Sequence, residues 1–315
     1  MKFDIIGDIH GYSDKLIQLL EKLEYDNENG TYRHPDPERK AIFVGDFIDR
    51  GPKIRETLLI VKSMVDTDAA YAVLGNHEYN ALCFHTLKAG QTDSWLRSRN
   101  DKNINQHIET LHQFKGHQKE WEKYLSWFMT LPLFLDLGDI RVVHASWIPS
   151  EISKIIKWTS GALKLSNNLL QKSALKGYDE FDTIEIVLKG VEIHLPDGVD
   201  PIPDNDGNKR NDIRIKWWES AKGKTYEEML FPQGNSKEFG RHLIQPTDTE
   251  RLPVYEENVP VFFGHYWIKP TNPSTPQVQT DQICCLDYSV AKGGLLTAYR
   301  WEGEKILQND RFVWV

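Results

Sequence analysis

Short apolar runs that stop at a glycine recur through the first 80 residues. Residues 3–6 end at Gly7, 41–44 at Gly45 and 71–74 at Gly75. Runs of this length, bounded by a turn former, predict buried strands. Helical spacing follows each of them. After Ser13, a residue suited to an N-cap, Leu16, Leu19, Leu20 and Leu23 share one face. Over residues 56–65, Leu58, Leu59, Val61 and Val65 keep nearly the same period, and a third helical pattern follows Gly75. Strand, loop and helix three times over predict an α/β fold, a sheet covered by helices.

The pattern then changes. Residues 87–131 are polar and carry Trp95, Trp121 and Trp127, which predicts a helical insertion or cap. Residues 139–143 form a further predicted strand. From 150 to 257 the chain is irregular, with strands expected over 184–195 and 212–218 around a polar Asp206-Gly207 turn. Apolar strands return at 261–263, 283–286, 295–301 and 311–315. The expected organisation is a core made of residues 1–149 and 258–315, with 150–257 as a middle insertion or cap.

Composition narrows the class. With 315 residues, 40% hydrophobic and 27% charged, the chain is neither disordered nor a coiled coil. A net charge of −8 argues against bulk attraction to nucleic acid or anionic membrane. Cys83, Cys284 and Cys285 give no disulfide framework, so a reducing cytoplasm is expected. No stretch has the apolar length of a signal peptide core or a membrane span, so a soluble, cytoplasmic protein is expected.

The strand ends carry the chemistry. They read Gly7-Asp8-Ile9-His10-Gly11, Gly45-Asp46-Phe47-Ile48-Asp49-Arg50-Gly51 and Gly75-Asn76-His77-Glu78. If the strands are parallel, all three clusters meet at one carboxyl edge, where open α/β sheets place their ligands. His144 and His265 end two further strands in the same style. Asp8, His10, Asp46, Asn76, His144 and His265 combine imidazole with hard oxygen donors and no thiolate. That set suits Mn2+, Fe or Zn2+ rather than a structural zinc site. Six ligands exceed the need of one tetrahedral ion, so two ions sharing a bridging carboxylate are expected. Such a pair can clamp a phosphate and generate hydroxide at neutral pH. His34, His85, His107, His112, His117, His194 and His242 are taken as surface or satisfied core residues.

These three blocks resemble the signature blocks of the calcineurin-like metallophosphoesterases, and more narrowly of the phosphoprotein phosphatases. That group includes serine/threonine phosphatases and bacterial diadenosine tetraphosphatases. The resemblance covers about residues 1–80, 138–149 and 260–301. It implies a four-layer αββα sandwich and two divalent ions, Mn2+ ahead of Fe or Zn2+. It places Asp8 and His10 on the first ion, Asp46 between the two, and Asn76, His144 and His265 on the second. It makes His77 the acid for the leaving group, Asp49 its orienting partner and Arg50 a phosphate grip. The implied activity is hydrolysis of phosphate monoesters, of the phosphoserine, phosphothreonine or small phosphoester type, by metal-activated hydroxide. Dinucleoside polyphosphate hydrolysis and nucleic-acid end processing are the alternatives, the latter supported only by the patch of Lys209, Arg210, Arg214 and Lys216. A catalytically dead binding module is disfavoured because every ligand position and His77 are present.

Two features depart from the family pattern. Trp147 stands where relatives carry small residues after the histidine, and either roofs the pocket or packs in the core. Arg214 shares a strand face with Lys216, and is either a second phosphate-binding arginine or part of a solvated face.

Overall fold

In the computed structural model, β1 (Lys2–Ile6) sets the pattern for the whole molecule. Its Phe3 and Ile5 face one way and its Asp4 and Ile6 the other, the period-two alternation of a strand buried on both faces. The structure describes residues 1–203, 209–232, 236–245, 252, 254–269 and 275–315. The turn expected at 206–207 lies outside them.

After β1 come α1 (Ser13–Lys22), a small hairpin of β2 (Asp26–Glu28) and β3 (Thr31–Arg33), β4 (Arg39–Phe43), α2 (Ile54–Asp66) and β5 (Ala70–Ala72). Ser13 is the first helical residue of α1 rather than its cap; Tyr12 precedes the helix without a side-chain bond. Next are α3 (Asn76–His85), α4 (Asp101–Gln113), α5 (Gln118–Phe128), β6 (Phe134–Asp136) and β7 (Arg141–Val143). The chain continues through α6 (Pro149–Trp158), α7 (Asn167–Ser173) and α8 (Asp179–Lys189). Short pieces follow: β8 (Glu192–His194), β9 (Ile202–Pro203), β10 (Lys209–Arg210), β11 (Asp212–Arg214) and α9 (Tyr226–Met229). It closes with β12 (Val261–Phe263), β13 (Ile283–Cys285), β14 (Asp287–Tyr288), β15 (Leu295–Trp301) and β16 (Phe312–Trp314).

Two sheets result. One runs β14-β15-β1-β4-β5 with β16 beside β15, and the other β13-β12-β7-β6. β1, β4 and β5 are parallel, as are β7, β12 and β13. Ile5, Ile42 and Tyr299 of the first sheet meet Val142, Phe262 and Cys284 of the second in one apolar layer, all fully buried. Burying such an aliphatic or aromatic side chain contributes about 1.5–3 kcal/mol. The alternate residues, Ile6 and Phe43 on one sheet and Val143 and Phe263 on the other, join the buried faces of the helices. Helix, sheet, sheet, helix is the expected αββα sandwich.

The expected strand over 184–195 is helical in its first part. Thr183, Ile184, Val187 and Leu188 are the buried face of α8, at the i, i+4, i+5 spacing of a helix. The β-branched residues suggested a strand, but tertiary burial of this face overrides that propensity. The backbone N–H of Ala145 donates to the Val187 carbonyl (3.1 Å), which fixes α8 against the end of β7. Ile152 and Ile155 of α6 are buried in the same cluster. Trp147 packs in the core: it is 2% exposed, 5.2 Å from the Phe134 ring and covered by Arg141 at 4.8 Å. No helix among the described residues is long and apolar enough to cross a membrane.

Candidate active site

Parallel strands deliver their carboxyl ends to one edge, and the two packed sheets deliver theirs together. Asp8 and His10 follow β1, Asp46 and Asp49 follow β4, Asn76 and His77 open α3, His144 follows β7 and His265 follows β12. The loops are stapled to one another by backbone hydrogen bonds. The N–H groups of Ile9 and His10 both donate to the Asp46 carbonyl (3.1 and 2.9 Å), and Gly264 N–H donates to the His144 carbonyl (2.9 Å). His10, Asp46, Asp49, Arg50, His265 and Trp267 all hold left-handed backbone (φ 49 to 71°). Such strain in non-glycine residues persists only where the surroundings enforce it, and it gathers at functional sites. Gly264 permits the closest approach: a Cβ there would stand 1.9 Å from Asp8 Oδ1.

Glu78 holds the central loop. Its buried carboxylate accepts the backbone N–H of Asp46 (2.8 Å), Phe47 (2.8 Å), Ile48 (3.3 Å) and Gly75 (3.2 Å). The sequence shows Glu78 inside a motif and says nothing of this role. Glu78→Gln trades one acceptor oxygen for an NH2 group that faces donors. We expect it to lower thermal stability by about 1–3 kcal/mol and to weaken metal retention; unchanged melting temperature and metal content would contradict the role.

The donor atoms point inward. His10 Nδ1–H donates to the Ile48 carbonyl (2.9 Å) and His144 Nδ1–H to the Val44 carbonyl (2.7 Å), so both Nε2 atoms present lone pairs. His144 Nε2 faces Asp46 Oδ1 at 3.4 Å, and His10 Nε2 faces Asp46 Oδ2 at 3.6 Å. Each oxygen of Asp46 thus opposes a different imidazole. Asn76 Oδ1 lies 2.9 Å from His144 Nε2 and 2.7 Å from His265 Nδ1. Asp8 accepts His265 N–H at 3.0 Å through Oδ2. Asp8 Oδ1, His10 Nε2, Asp46 Oδ2 and His265 Nε2 are buried with no hydrogen-bond partner. Buried polar atoms without partners are costly, and acceptors that face one another need a cation between them. The residues present therefore fit divalent metal ions.

Among the described residues, two triads have ligand atoms that all lie within 4.8 Å of one another within the triad: His10, Asp46 and His77, and Asp46, His144 and His265. Asp46 is common to both. Asp8 is in neither triad; its buried Oδ1 has no hydrogen-bond partner.

The electrostatics agree with a cation site. Burial, with the nearby Asp287 and Asp46 carboxylates, pushes Asp8 well above the usual carboxylate range. Burial and Asp46 raise Glu78 to about 7. Burial raises Asp287 to about 6 against the pull of two backbone N–H groups. Asp46 is the exception: burial would raise it, but the His144 and His77 imidazoles hold it well below. Burial and His77 lower His10 to about 4, keeping its ring neutral and free to ligate.

His77 is built differently. Its Nδ1 lies 2.5 Å from Asp49 Oδ2, with its Nε2 4.0 Å from Asp46 Oδ2. Asp49 Oδ1 accepts Thr110 Oγ1 (2.6 Å) and His107 Nδ1 (2.8 Å). Burial would raise Asp49, but His107 and His77 hold it below the usual range. Burial disfavours the His77 cation, and Asp46 and Asp49 outweigh it, so His77 is raised. His107, read from sequence as an ordinary surface or core histidine, is a buried member of this network, and Thr110 was not singled out at all.

The site opens into a cavity of about 1320 Å³. Among its described lining residues are nine Lys and Arg against six Asp and Glu, in a chain of net charge −8. Arg50 lies over the Trp267 ring at 5.1 Å, and Trp267 N–H donates to Asp287 Oδ2 (2.7 Å). Trp267 thus carries Arg50 at the cavity wall, a role absent from the sequence reading. Arg214, on β11, lines the same cavity and pairs with Glu192 at 3.4 Å. Lys209 and Arg210 line it too, whereas Lys216 pairs with Glu219 at 3.5 Å outside it.

Comparison with known proteins gives the family. The calcineurin-like phosphoesterase family model matches residues 1–266. The chain belongs to the calcineurin-like phosphoesterase family. Within it, the chain is 51% identical over 77 residues to the asymmetrical bis(5'-nucleosyl)-tetraphosphatase PrpE of Halalkalibacterium halodurans, covering 24% of this chain and 31% of that one. It is 33% identical over 145 residues to the protein of the same name from Oceanobacillus iheyensis, covering 46% of this chain and 55% of that one. The matches span less than two thirds of either relative. Solved structures of similar fold include a protein serine/threonine phosphatase from Saccharomyces cerevisiae (15% identity, TM-score 0.49, 100% of this chain and 79% of that one). A cold-active protein-tyrosine phosphatase of a Shewanella species is another (15% identity, TM-score 0.49, 96% and 78%).

Proposed function

We propose that this calcineurin-like phosphoesterase hydrolyses phosphoanhydride or phosphoester bonds with two divalent ions shared by Asp46, and that dinucleoside polyphosphates are its preferred substrate class. The observation that carries the reading is the set of buried, partnerless ligand atoms around Asp46 at the floor of a large basic cavity. Asp8 and His10 would hold one ion and Asn76, His144 and His265 the other, with Mn2+ the first choice and Fe or Zn2+ the alternatives. When bound, such ions supply Lewis acidity toward the phosphoryl oxygens and lower the pKa of water. The remaining chemistry belongs to the side chains. Arg50, braced on Trp267, binds a phosphoryl oxygen pair through its planar fork. His77, whose protonated form Asp46 and Asp49 favour, gives its Nε2 proton to the departing oxygen. Arg214, across the cavity on β11, is the proposed second phosphate contact, and the region 150–257, from which Asp182, Glu192 and Lys237 among others line the cavity, acts as the cap that sets substrate choice.

The names of the two relatives and the size and charge of the cavity support the dinucleoside reading. The His77–Asp49 pair supports a second reading, hydrolysis of phosphate monoesters, because an alkoxide leaving group needs a proton more than a phosphate does. Nucleic-acid end processing rests only on Lys209, Arg210 and Arg214 at the cavity.

A panel of diadenosine tetraphosphate, phosphoserine peptides, aryl phosphate and 3'- or 5'-phosphorylated RNA on metal-loaded protein separates the readings by kcat/KM. The dinucleotide is expected to lead by at least tenfold. A lead for the phosphopeptides or RNA would replace the substrate class, and turnover of none would remove the enzymatic reading.

A further inference from the structure

Arg97 is a part-buried cation without a carboxylate partner among the described residues. Its Nη1 donates to Asn80 Oδ1 (2.9 Å) and its Nη2 to Gln106 Oε1 (2.7 Å), while its backbone N–H donates to the Cys83 carbonyl (3.0 Å). Both side-chain partners are neutral amides, one on α3 a turn beyond His77 and one on α4. They fix the plane of the guanidinium without pairing its charge directly, and the Glu185 and Asp49 carboxylates attract it from beyond ion-pair distance. Among the described residues, Arg99 and Arg33 likewise hydrogen-bond only to backbone carbonyls, but several other arginines are treated differently. Arg39 pairs with Asp4 and Glu302, Arg55 with Glu120, and Arg141 with Asp136 and Glu257. Taking a guanidinium from water without a counter-ion is unfavourable, and burial accordingly lowers its pKa.

The position of Arg97 gives the cost a purpose. It lines the large cavity and also a recess of about 50 Å³ walled by Asp49, Asn76, His77, Asn80 and Gln106. The charge therefore lies on the side of the site where His77 meets the leaving group. Lys102, in the first turn of α4, lines the cavity beside it. Arg50 and Arg214 belong to the phosphoryl group under attack; Arg97 is a third cation, set apart by its amide cradle.

We propose that Arg97 is a specificity-determining residue that binds a phosphate on the leaving group, so that the preferred substrate carries anionic phosphate on both sides of the bond that breaks. This rests on the phosphoesterase reading above. In the reaction, water oxygen forms the new bond to phosphorus and water gives up a proton. That proton passes to solvent; the bond from phosphorus to the leaving phosphate breaks, its oxygen keeps the electron pair and takes the His77 Nε2 proton, and the remaining charge of the departing phosphate is shared with Arg97. Asn80 and Gln106 act as positioning residues, since their side-chain oxygens hold the fork.

The test is equilibrium binding of two probes to the metal-loaded protein by calorimetry: inorganic phosphate, which offers one anionic group, and methylenediphosphonate, which offers two and is not hydrolysed. Arg97→Gln is expected to weaken methylenediphosphonate at least tenfold more than it weakens phosphate, the effect of losing a charge-assisted contact. Its kcat/KM should fall ten- to a hundredfold more for diadenosine tetraphosphate than for an aryl phosphate. Arg97→Lys, which keeps the charge without the fork, serves if the first variant fails to fold, and should show a smaller shift of the same sign. Equal losses on both probes, or none, would overturn the proposal. Because the binding arm needs no turnover, a protein that binds both probes but hydrolyses nothing would refute the phosphoesterase reading while still deciding the role of Arg97.

Discussion

Asp46→Asn is expected to leave the protein folded and to remove most of its metal and activity. The reason lies in the two oxygens. Oδ1 accepts His77 N–H at 2.9 Å, a bond that an asparagine oxygen can keep. Oδ2 has no partner and faces His10. The substitution therefore spares the loop, which Glu78 also holds, and removes a charge that both triads share. Loss of a partner that merely supports a metal ligand costs about 10–100-fold. Loss of a bridging ligand should exceed that, to about a thousandfold or more in kcat, with bound metal falling below one ion per chain. Metal content, melting temperature and kcat measured on one preparation check this. Near-normal metal content with full activity would show that Asp46 is a structural acid only.

His77→Asn should have the opposite signature, with metal retained and kcat reduced by roughly 10²–10⁴-fold, the range of a positioned general acid. The loss should be small for a nitrophenyl ester, whose leaving group needs no proton, and large for an alkyl phosphate. Asp49→Asn should follow the same order more mildly, because Thr110 and His107 remain to hold the loop but the His77 cation loses its counter-charge. Equal losses on the two esters would refute the acid role, and loss of metal would make His77 a ligand of the His10 triad instead.

Much of this architecture was legible because it depends on local period. The strands before Gly7, Gly45 and Gly75, and the strand-end histidines at 144 and 265, follow from apolar runs that stop abruptly. Parallel pairing then brings their ends together, as β1, β4 and β5 and as β7 and β12. What sequence could not show depends on distance along the chain. His107 meets Asp49 across 58 residues and Thr110 meets it across 61. Trp267 reaches Arg50 from the far end of the chain. Arg97 gains its meaning only from the amides of Asn80 and Gln106. None of these sits in a motif. Residues 184–188 are helical although a strand is expected there, because Thr183, Ile184, Val187 and Leu188 form one buried helical face. Trp147 could not be placed until Phe134 and Arg141 were seen around it.

Whether Asp46 joins a pair of ions is decided by anomalous diffraction from crystals saturated with Mn2+. Two peaks are expected, one beside Asp8 and His10, the other beside Asn76, His144 and His265, each in contact with one oxygen of Asp46. A single peak, or two that do not share Asp46, would contradict a bridging Asp46.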